Sequence, residues 1–193
     1  MKGDSMNSDL LTKPQRLSRS EIYSCPWVTL YVDKVLLPNG HIIEKYHIID
    51  FGTPAVGVIV ENELGKVLLV QVYRYPTDSV NWEIPAGRCE KGETVIEAGM
   101  REVLEESGYN STGHQLLTSF NPINGISNET FYILKCEASN LAGEFDTDEI
   151  AAVRWCSRNE IEGMLVNNEF RDGFTLTAML LWLRGKDENS ILV

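Results

Sequence analysis

Residues 87–109, GRCEKGETVIEAGMREVLEESGY, contain six glutamates, and four of them, Glu93, Glu102, Glu105 and Glu106, share the stretch with a central arginine, Arg101. Glu102, Glu105 and Glu106 are spaced i, i+3, i+4, so a helix places them on one face, where like charges cost roughly 0.2–0.5 kcal/mol per pair. Their hard oxygen atoms suit Mg²⁺ or Mn²⁺ shared with the phosphates of a substrate. The alternative interpretation is a solvated acidic face. The one-sided spacing, and the Pro- and Gly-containing loop PAGRCEKGE before the helix, favour a metal site.

The composition limits the classes of function. The chain has 193 residues, a formal charge of −11 and 43% hydrophobic residues, which suits one domain or one domain with a small extension. No basic cluster offers phosphate contacts, so we expect no nucleic-acid partner. No apolar run reaches membrane-spanning length and no signal peptide is evident, so we expect no membrane partner. Four separated cysteines without a Cys-x-x-Cys pair predict reduced thiols in a cytoplasmic protein.

The remaining patterns predict an α+β fold, a mixed-sheet sandwich preceded by a small N-terminal β-structure. Residues 27–50 read as two strands around the turn Pro38-Asn39-Gly40, in which the Asn-Gly pair is typical of a tight hairpin. Further extended runs are predicted at 54–60, 66–75, 81–87, 130–136 and 150–156. Helices are predicted at 94–107, ended by Gly108, at 157–168, opened by the capping box Ser157-x-x-Glu160, and at 174–185. On the first helix, Val95, Ala98, Val103 and Leu104 are expected to face the core.

The acidic segment resembles the box of the Nudix hydrolases: Gly, five residues, Glu, seven residues, then Arg-Glu-apolar-x-Glu-Glu-x-Gly-apolar. The matching residues are Gly87, Glu93, Arg101, Glu102, Val103, Glu105, Glu106, Gly108 and Tyr109. The flanking YRYP, WEIPAG and SFNPINGISNE resemble the ADP-ribose pyrophosphatase branch and its nucleoside-diphosphate-sugar relatives. The resemblance implies a Nudix fold, an α/β/α sandwich around a mixed sheet. After a flexible tail (1–14) we expect an N-terminal dimerisation subdomain (15–52) that makes a homodimer, then the hydrolase domain (53–187).

The resemblance implies Mg²⁺-dependent hydrolysis of ADP-ribose to AMP and ribose 5-phosphate, with Mn²⁺ as an alternative metal. The metal ligands it implies are Glu102, Glu105, Glu106 and the main-chain carbonyl of Ala86. Arg101 is expected to pair with Glu93 or Glu105 and so hold the loop against the helix. In this branch the general base tends to come from a later acidic loop, here GEFDTDEIAAV. Glu149 is the first candidate, either as the base or as an additional metal ligand, with Asp148 and Asp146 behind it; a solvated acidic turn is the alternative.

The resemblance also implies substrate-binding residues. Arg74 is expected at the phosphates, Glu83 and Glu129 near the ligand, and Trp27 stacked on a base or ribose. Each of the four also has a purely structural interpretation. The loop holds Asn124-Gly125 where ADP-ribose enzymes usually carry proline, so a GDP- or UDP-hexose is an alternative substrate. A non-catalytic module that senses nucleotides is a further alternative, against which the complete box argues.

Overall fold

The computed structural model describes residues 13–190, with side chains to residue 185. Of the expected flexible tail, residues 1–12 lie outside the described part; Lys13 and Pro14 lie inside it and are exposed. The chain divides into two compact units. The first comprises residues up to Gly52 together with Ile123–Asn128, and the second comprises Thr53–Pro122 and the residues from Glu129 onward.

The first unit is a three-stranded antiparallel sheet in the order β1-β2-β3. Its strands are β1 (Gln15–Ser24), β2 (Thr29–Leu36) and β3 (Ile42–Asp50). The turn between β2 and β3 contains Gly40 with φ +83°, as the Asn-Gly signal predicts. β1 was absent from the predicted pair of strands. All ten residues of β1 are exposed, so no face of the strand is buried. The alternation of apolar and polar residues by which a half-buried strand is predicted is therefore missing.

The segment 123–128 belongs to this first unit through main-chain and side-chain hydrogen bonds. The Tyr46 hydroxyl donates to the carbonyl of Gly125 at 2.6 Å, and the Ile49 N–H donates to the carbonyl of Ile126 at 2.8 Å. Ile49 and Ser127 form a parallel bridge. The segment is therefore fastened to the edge of β3.

The second unit contains a seven-stranded mixed sheet, in which β4 and β9 are parallel and the other pairs antiparallel. Its strands are β4 (Ala55–Glu61), β5 (Val67–Arg74), β6 (Ser79–Glu83), β7 (Ala86–Arg88), β8 (Tyr109–Phe120), β9 (Phe131–Leu141) and β10 (Ile150–Cys156). The main order is β10-β5-β4-β9-β8, with β6 paired to β5 and β7 to β4. β8 was not predicted: most of its residues are exposed, and its pairing with β9 is interrupted by register shifts.

Helices cover both faces of this sheet and confirm the expected sandwich. The helices are α1 (Val95–Ser107), α2 (Arg158–Val166) and α3 (Gly173–Ser190). On β4, Val56, Val58 and Val60 pack in the cluster that contains residues of α1, whereas Ile59 packs in the cluster that contains residues of α2 and α3. This alternation is what a strand buried on both faces requires. No helix in residues 13–190 is long and apolar enough to cross a membrane.

The ends of α1 agree with the sequence. Thr94 forms a full capping box with Glu97, and Gly108 ends the helix with φ +73°. The expected core stripe is wrong in one position: Leu104 is 40% exposed. The buried side of α1 instead includes Glu102 and Glu106 beside Val103 and Ala98, so two of the carboxylates do not lie on the solvated face.

Candidate active site

Arg101 connects the loop before α1 to the helix. Its guanidinium donates two hydrogen bonds to Glu93, both 3.0 Å long, and a third to the carbonyl of Arg88 at 2.8 Å. It also donates to Glu102 at 2.7 Å and to Glu105 at 3.1 Å. These carboxylates, Glu93 first, raise the pKa of Arg101 further above its ordinary value. The arginine thus pairs with both expected partners and fixes the geometry of the loop.

The two buried carboxylates of α1 have perturbed acidity. Burial is the largest cause that raises the pKa of Glu106, to about 8, and the charge of Glu102 adds to it. The N–H of Ala86 donates to Glu106 at 3.0 Å and, with Arg74, opposes the rise. Burial also raises the pKa of Glu102, against the opposing effect of Arg101. Two carboxylates held in a poorly solvated place repel each other, and a cation would relieve that repulsion.

Gly87 allows the loop to approach α1 closely. A Cβ at this position would collide with the Glu102 carboxylate, so a larger residue would force that carboxylate out of its present position beside Arg101. This is a physical reason for the glycine that begins the acidic segment.

A cleft of about 300 Å³ lies beside this loop and is lined by residues that include Ala86, Gly87 and Arg74. Arg74 donates to both oxygens of Glu83, with its shortest bond 2.6 Å from Nη2. The Arg74 side chain is 46% exposed, whereas that of Glu83 is 4% exposed. Glu83 therefore orients a guanidinium that remains accessible from the cleft.

The acidic loop that follows β9 is tied to the end of α1. The Asp146 N–H donates to the carbonyl of Glu105 at 2.8 Å, and the Asp148 N–H donates to the Asp146 carboxylate at 2.9 Å. Asp148 and Glu149 are exposed. The charge of Glu149 contributes to the raised pKa of Glu106, so its carboxylate acts on the same site.

The two other predicted substrate residues have different surroundings. Glu129 is buried and forms an ion pair with Arg88, whose guanidinium also donates to the carbonyl of Thr53 at 2.8 Å. Trp27 lies in the first unit, between β1 and β2, and is 75% exposed. The structure brings Arg74, Glu83 and Ala86 to one cleft.

The acidic side chains near the cleft are potential ligands for a divalent metal. Among residues 13–185, no three His, Cys, Asp or Glu side chains converge into a ready cage, and the Glu102 carboxylate bonds Arg101. A small hard ion does not require such a cage, since it keeps several waters and uses one or two carboxylates with substrate phosphates. Glu106, buried and bonded to the Ala86 N–H, supplies a hard oxygen atom next to the cleft. The residues fit a metal that is completed by its substrate.

Two residues of the site were not predicted from sequence. Arg88 follows Gly87 directly and forms an ion pair with Glu129, 41 residues later in the chain. No local sequence pattern predicts this pair. Asp172 lines the cleft and raises the local negative charge near Glu83. It caps the start of α3, because the Thr175 N–H donates to its carboxylate at 2.8 Å.

Comparison with known proteins shows the family and the fold. Residues 52–176 match the NUDIX domain, and residues 15–49 match the nucleoside diphosphate sugar hydrolase N-terminal domain. The chain is 29% identical over 166 residues to an ADP-ribose pyrophosphatase of Bacillus subtilis, covering 84% of this chain and 89% of the relative. It is 30% identical over 173 residues to a methanol dehydrogenase activator of Bacillus methanolicus, covering 88% and 92%.

A third relative, 26% identical over 165 residues, is a CMP-5'-(N-acetyl-N-hydroxy-3-aminopropyl)phosphonate hydrolase of Streptomyces rubellomurinus, with 84% of this chain and 77% of the relative covered. A solved structure, described as an ADP compounds hydrolase, superposes with a TM-score of 0.81 at 21% identity. It covers 93% of this chain and 98% of the other. At that identity the superposition shows the shared fold, including the N-terminal sheet and the mixed sheet with its helices.

Proposed function

Since this chain belongs to the NUDIX domain family and is a Nudix pyrophosphatase, we propose that it hydrolyses ADP-ribose to AMP and ribose 5-phosphate with Mg²⁺, or alternatively Mn²⁺. The observation that carries the proposal is Glu106, whose buried carboxylate accepts from the N–H of Ala86, a residue that lines the cleft, and has its pKa raised to about 8. A carboxylate in that state is stabilised when a cation and a diphosphate bind together. Members of the family generally use a divalent metal.

The metal would be held by Glu102, Glu105, Glu106 and the carbonyl of Ala86. When bound, it neutralises phosphate oxygens and lowers the pKa of a water molecule. Arg101 keeps Glu102 and Glu105 in place through bonds of 2.7 and 3.1 Å. Because Arg101 also bonds the loop, it positions these groups without touching the substrate.

The other residues orient the substrate and move a proton. Arg74, fixed by Glu83, presents its guanidinium to the phosphate oxygens, for which its planar fork is suited. A water oxygen attacks one phosphorus of the diphosphate, and the bond from that phosphorus to the bridging oxygen breaks. Glu149, or else Asp148, accepts the proton from the water. Both are exposed on a loop that is bonded to the end of α1, and the charge of Glu149 acts on Glu106.

We further propose that the enzyme is a homodimer that acts in the cytoplasm. The first unit supports association, because Ile22, Tyr23 and Trp27 are 59%, 57% and 75% exposed there. Exposed apolar side chains on and next to an edge strand are common in protein interfaces. Light scattering after size exclusion tests this: a monomeric mass for the wild type contradicts it. The cytoplasmic assignment is supported by four cysteines, all of them free.

Two alternatives to ADP-ribose hydrolysis are distinguished by the experiment below. The relative that hydrolyses a CMP-phosphonate shows that both the base and the leaving group vary among similar proteins. A GDP- or UDP-hexose is therefore the second candidate substrate, with the loop at Asn124-Gly125 as the selecting feature. The third candidate, a sensing module without catalysis, is suggested by the relative named as a dehydrogenase activator.

The deciding experiment measures phosphate release with Mg²⁺ and excess phosphatase across ADP-ribose, ADP-glucose, GDP-mannose, UDP-glucose and nucleoside triphosphates. Preference for ADP-ribose supports the proposal, and preference for a hexose assigns the second candidate. Glu106→Gln is the matched variant, because its amide oxygen still accepts from the Ala86 N–H. Turnover lost with binding retained identifies catalysis; unchanged turnover would remove Glu106 from the site.

A further inference from the structure

A second cavity, of about 470 Å³, lies next to the catalytic cleft. It is bounded by the β5–β6 connection and by the residues that precede α3. Arg74, Glu83 and Asp172 line both the cavity and the cleft, so the two spaces share one wall. A volume of this size lies within the range of small-molecule sites, about 300–1,000 Å³.

The wall of the cavity carries neutral hydrogen-bonding groups. The hydroxyls of Thr77 and Ser79 lie 2.8 Å apart, and the Asn81 amide donates to Ser79 at 3.3 Å. Asn81 is only 8% exposed and Glu83 only 3%. Buried polar groups at a cavity wall are stabilised by hydrogen bonds, and a ligand with hydroxyl groups can supply further ones.

Asp172 lines the cavity and has one carboxylate oxygen without a hydrogen-bond partner among the described residues. Its Oδ1 accepts from the Thr175 N–H at 2.8 Å, whereas its Oδ2 is buried and has no hydrogen-bond partner among the described residues. Burial, followed by the charge of Glu83, raises the pKa of this carboxyl. A buried oxygen without a partner costs about 1–3 kcal/mol, so a group that donates to it is favoured.

A positive charge lies at the cavity as well. Arg171 is exposed and lines it, and within the described chain no carboxylate pairs with it. A guanidinium that is not neutralised suits a phosphate group. The cavity therefore combines hydroxyl-binding groups with a phosphate-binding one.

We propose that this cavity is the subsite for the phosphorylated sugar half of the substrate, with the carboxylate of Asp172 turning to accept a hydrogen bond from a sugar hydroxyl. The proposal rests on the proposed function, since it names where the half that leaves as a sugar phosphate is held. The nucleotide half then lies on the side of the shared wall where Ala86 and Gly87 line the cleft. Asp172 is thereby a residue that determines specificity.

The test is calorimetric binding of each product half, because neither is hydrolysed. Ribose 5-phosphate, glucose 1-phosphate and AMP are titrated separately in Mg²⁺ buffer. Asp172→Asn keeps an acceptor for the Thr175 N–H, since Asn also caps helices well. We expect it to weaken the preferred sugar phosphate at least tenfold and AMP less than twofold. Ser79→Ala, which leaves α3 untouched, is expected to weaken the same ligand several-fold.

Glu63→Gln is the matched control, because it removes an exposed carboxylate at another cavity of the same unit. It should change neither ligand. Tighter sugar-phosphate binding by Asp172→Asn, as simple removal of a negative charge would give, overturns the proposal. So does equal weakening of AMP, or no sugar-phosphate binding up to millimolar concentration. If Asp172→Asn selectively weakens sugar-phosphate binding but the wild type hydrolyses no nucleotide sugar, the subsite is supported and the proposed function is wrong. If the wild type hydrolyses ADP-ribose but Asp172→Asn binds the sugar phosphate as tightly as the wild type, the proposed function is supported and the subsite is wrong.

Discussion

The raised pKa of Glu106 makes a prediction about stability. The folded protein holds this proton more tightly than the unfolded chain, so stability decreases as the pH rises from the ordinary value of 4.5 through about 8. One pKa unit corresponds to about 1.4 kcal/mol, which sets an upper limit of about 5 kcal/mol for the full loss. Glu106→Gln removes the ionisation and keeps the acceptor for the Ala86 N–H.

We therefore expect Glu106→Gln to match the wild type near pH 4.5 and to exceed its stability by a few kcal/mol above pH 8. Urea unfolding at several pH values, with chelator present, measures the difference. Glu105→Gln is the control on the same helix; its side chain is 53% exposed, so its effect should stay within about 0.5 kcal/mol. A difference between Glu106→Gln and wild type that does not grow with pH would refute the assignment of a buried, high-pKa carboxylate.

Three further predictions concern packing, the loop and the metal. Gly99→Ala should leave the stability unchanged or lower it by up to about 2 kcal/mol, because its Cβ would lie 2.7 Å from Leu134 Cδ1. Gly163→Ala is the control: its Cβ would meet no atom within 4 Å, so it should raise the stability by up to about 1 kcal/mol. An equal increase in the thermal unfolding temperature for both variants would contradict this. Arg101→Lys should reduce kcat at least tenfold while folding is retained, since an ammonium cannot replace the fork that joins Glu93 to Glu102; kinetics and circular dichroism check it. Chelation should abolish turnover and Mg²⁺ should restore it, and full activity in chelator would exclude a metal-dependent reaction.

Much of the second unit could be predicted from the sequence because its signals are local. Thr94 and Gly108 mark the ends of α1, and Ser157 with Glu160 marks the start of α2. β1 and β8 could not be predicted, because exposed residues and register shifts remove the alternation on which strand prediction depends.

The site divides in the same way. The spacing of the α1 carboxylates predicts that they share one face of the helix. It does not predict that they are buried, because their burial depends on how closely the loop at Gly87 approaches α1. The pairing of Arg88 with Glu129 and the position of Asp172 beside Glu83 join distant parts of the chain. Such contacts depend on the tertiary fold, so they cannot be predicted from the spacing of residues in the sequence.

The attachment of residues 123–128 to β3 affects how the protein can be recombined. The chain passes between the two units at three points: after Gly52, after Pro122 and after Asn128. A truncation that begins at Thr53 would leave Gly125 and Ile126 without the groups of Tyr46 and Ile49 that bond them. A chimera that exchanges the N-terminal sheet between relatives therefore keeps these contacts most directly when it exchanges this six-residue segment as well, although the two stretches are distant in sequence.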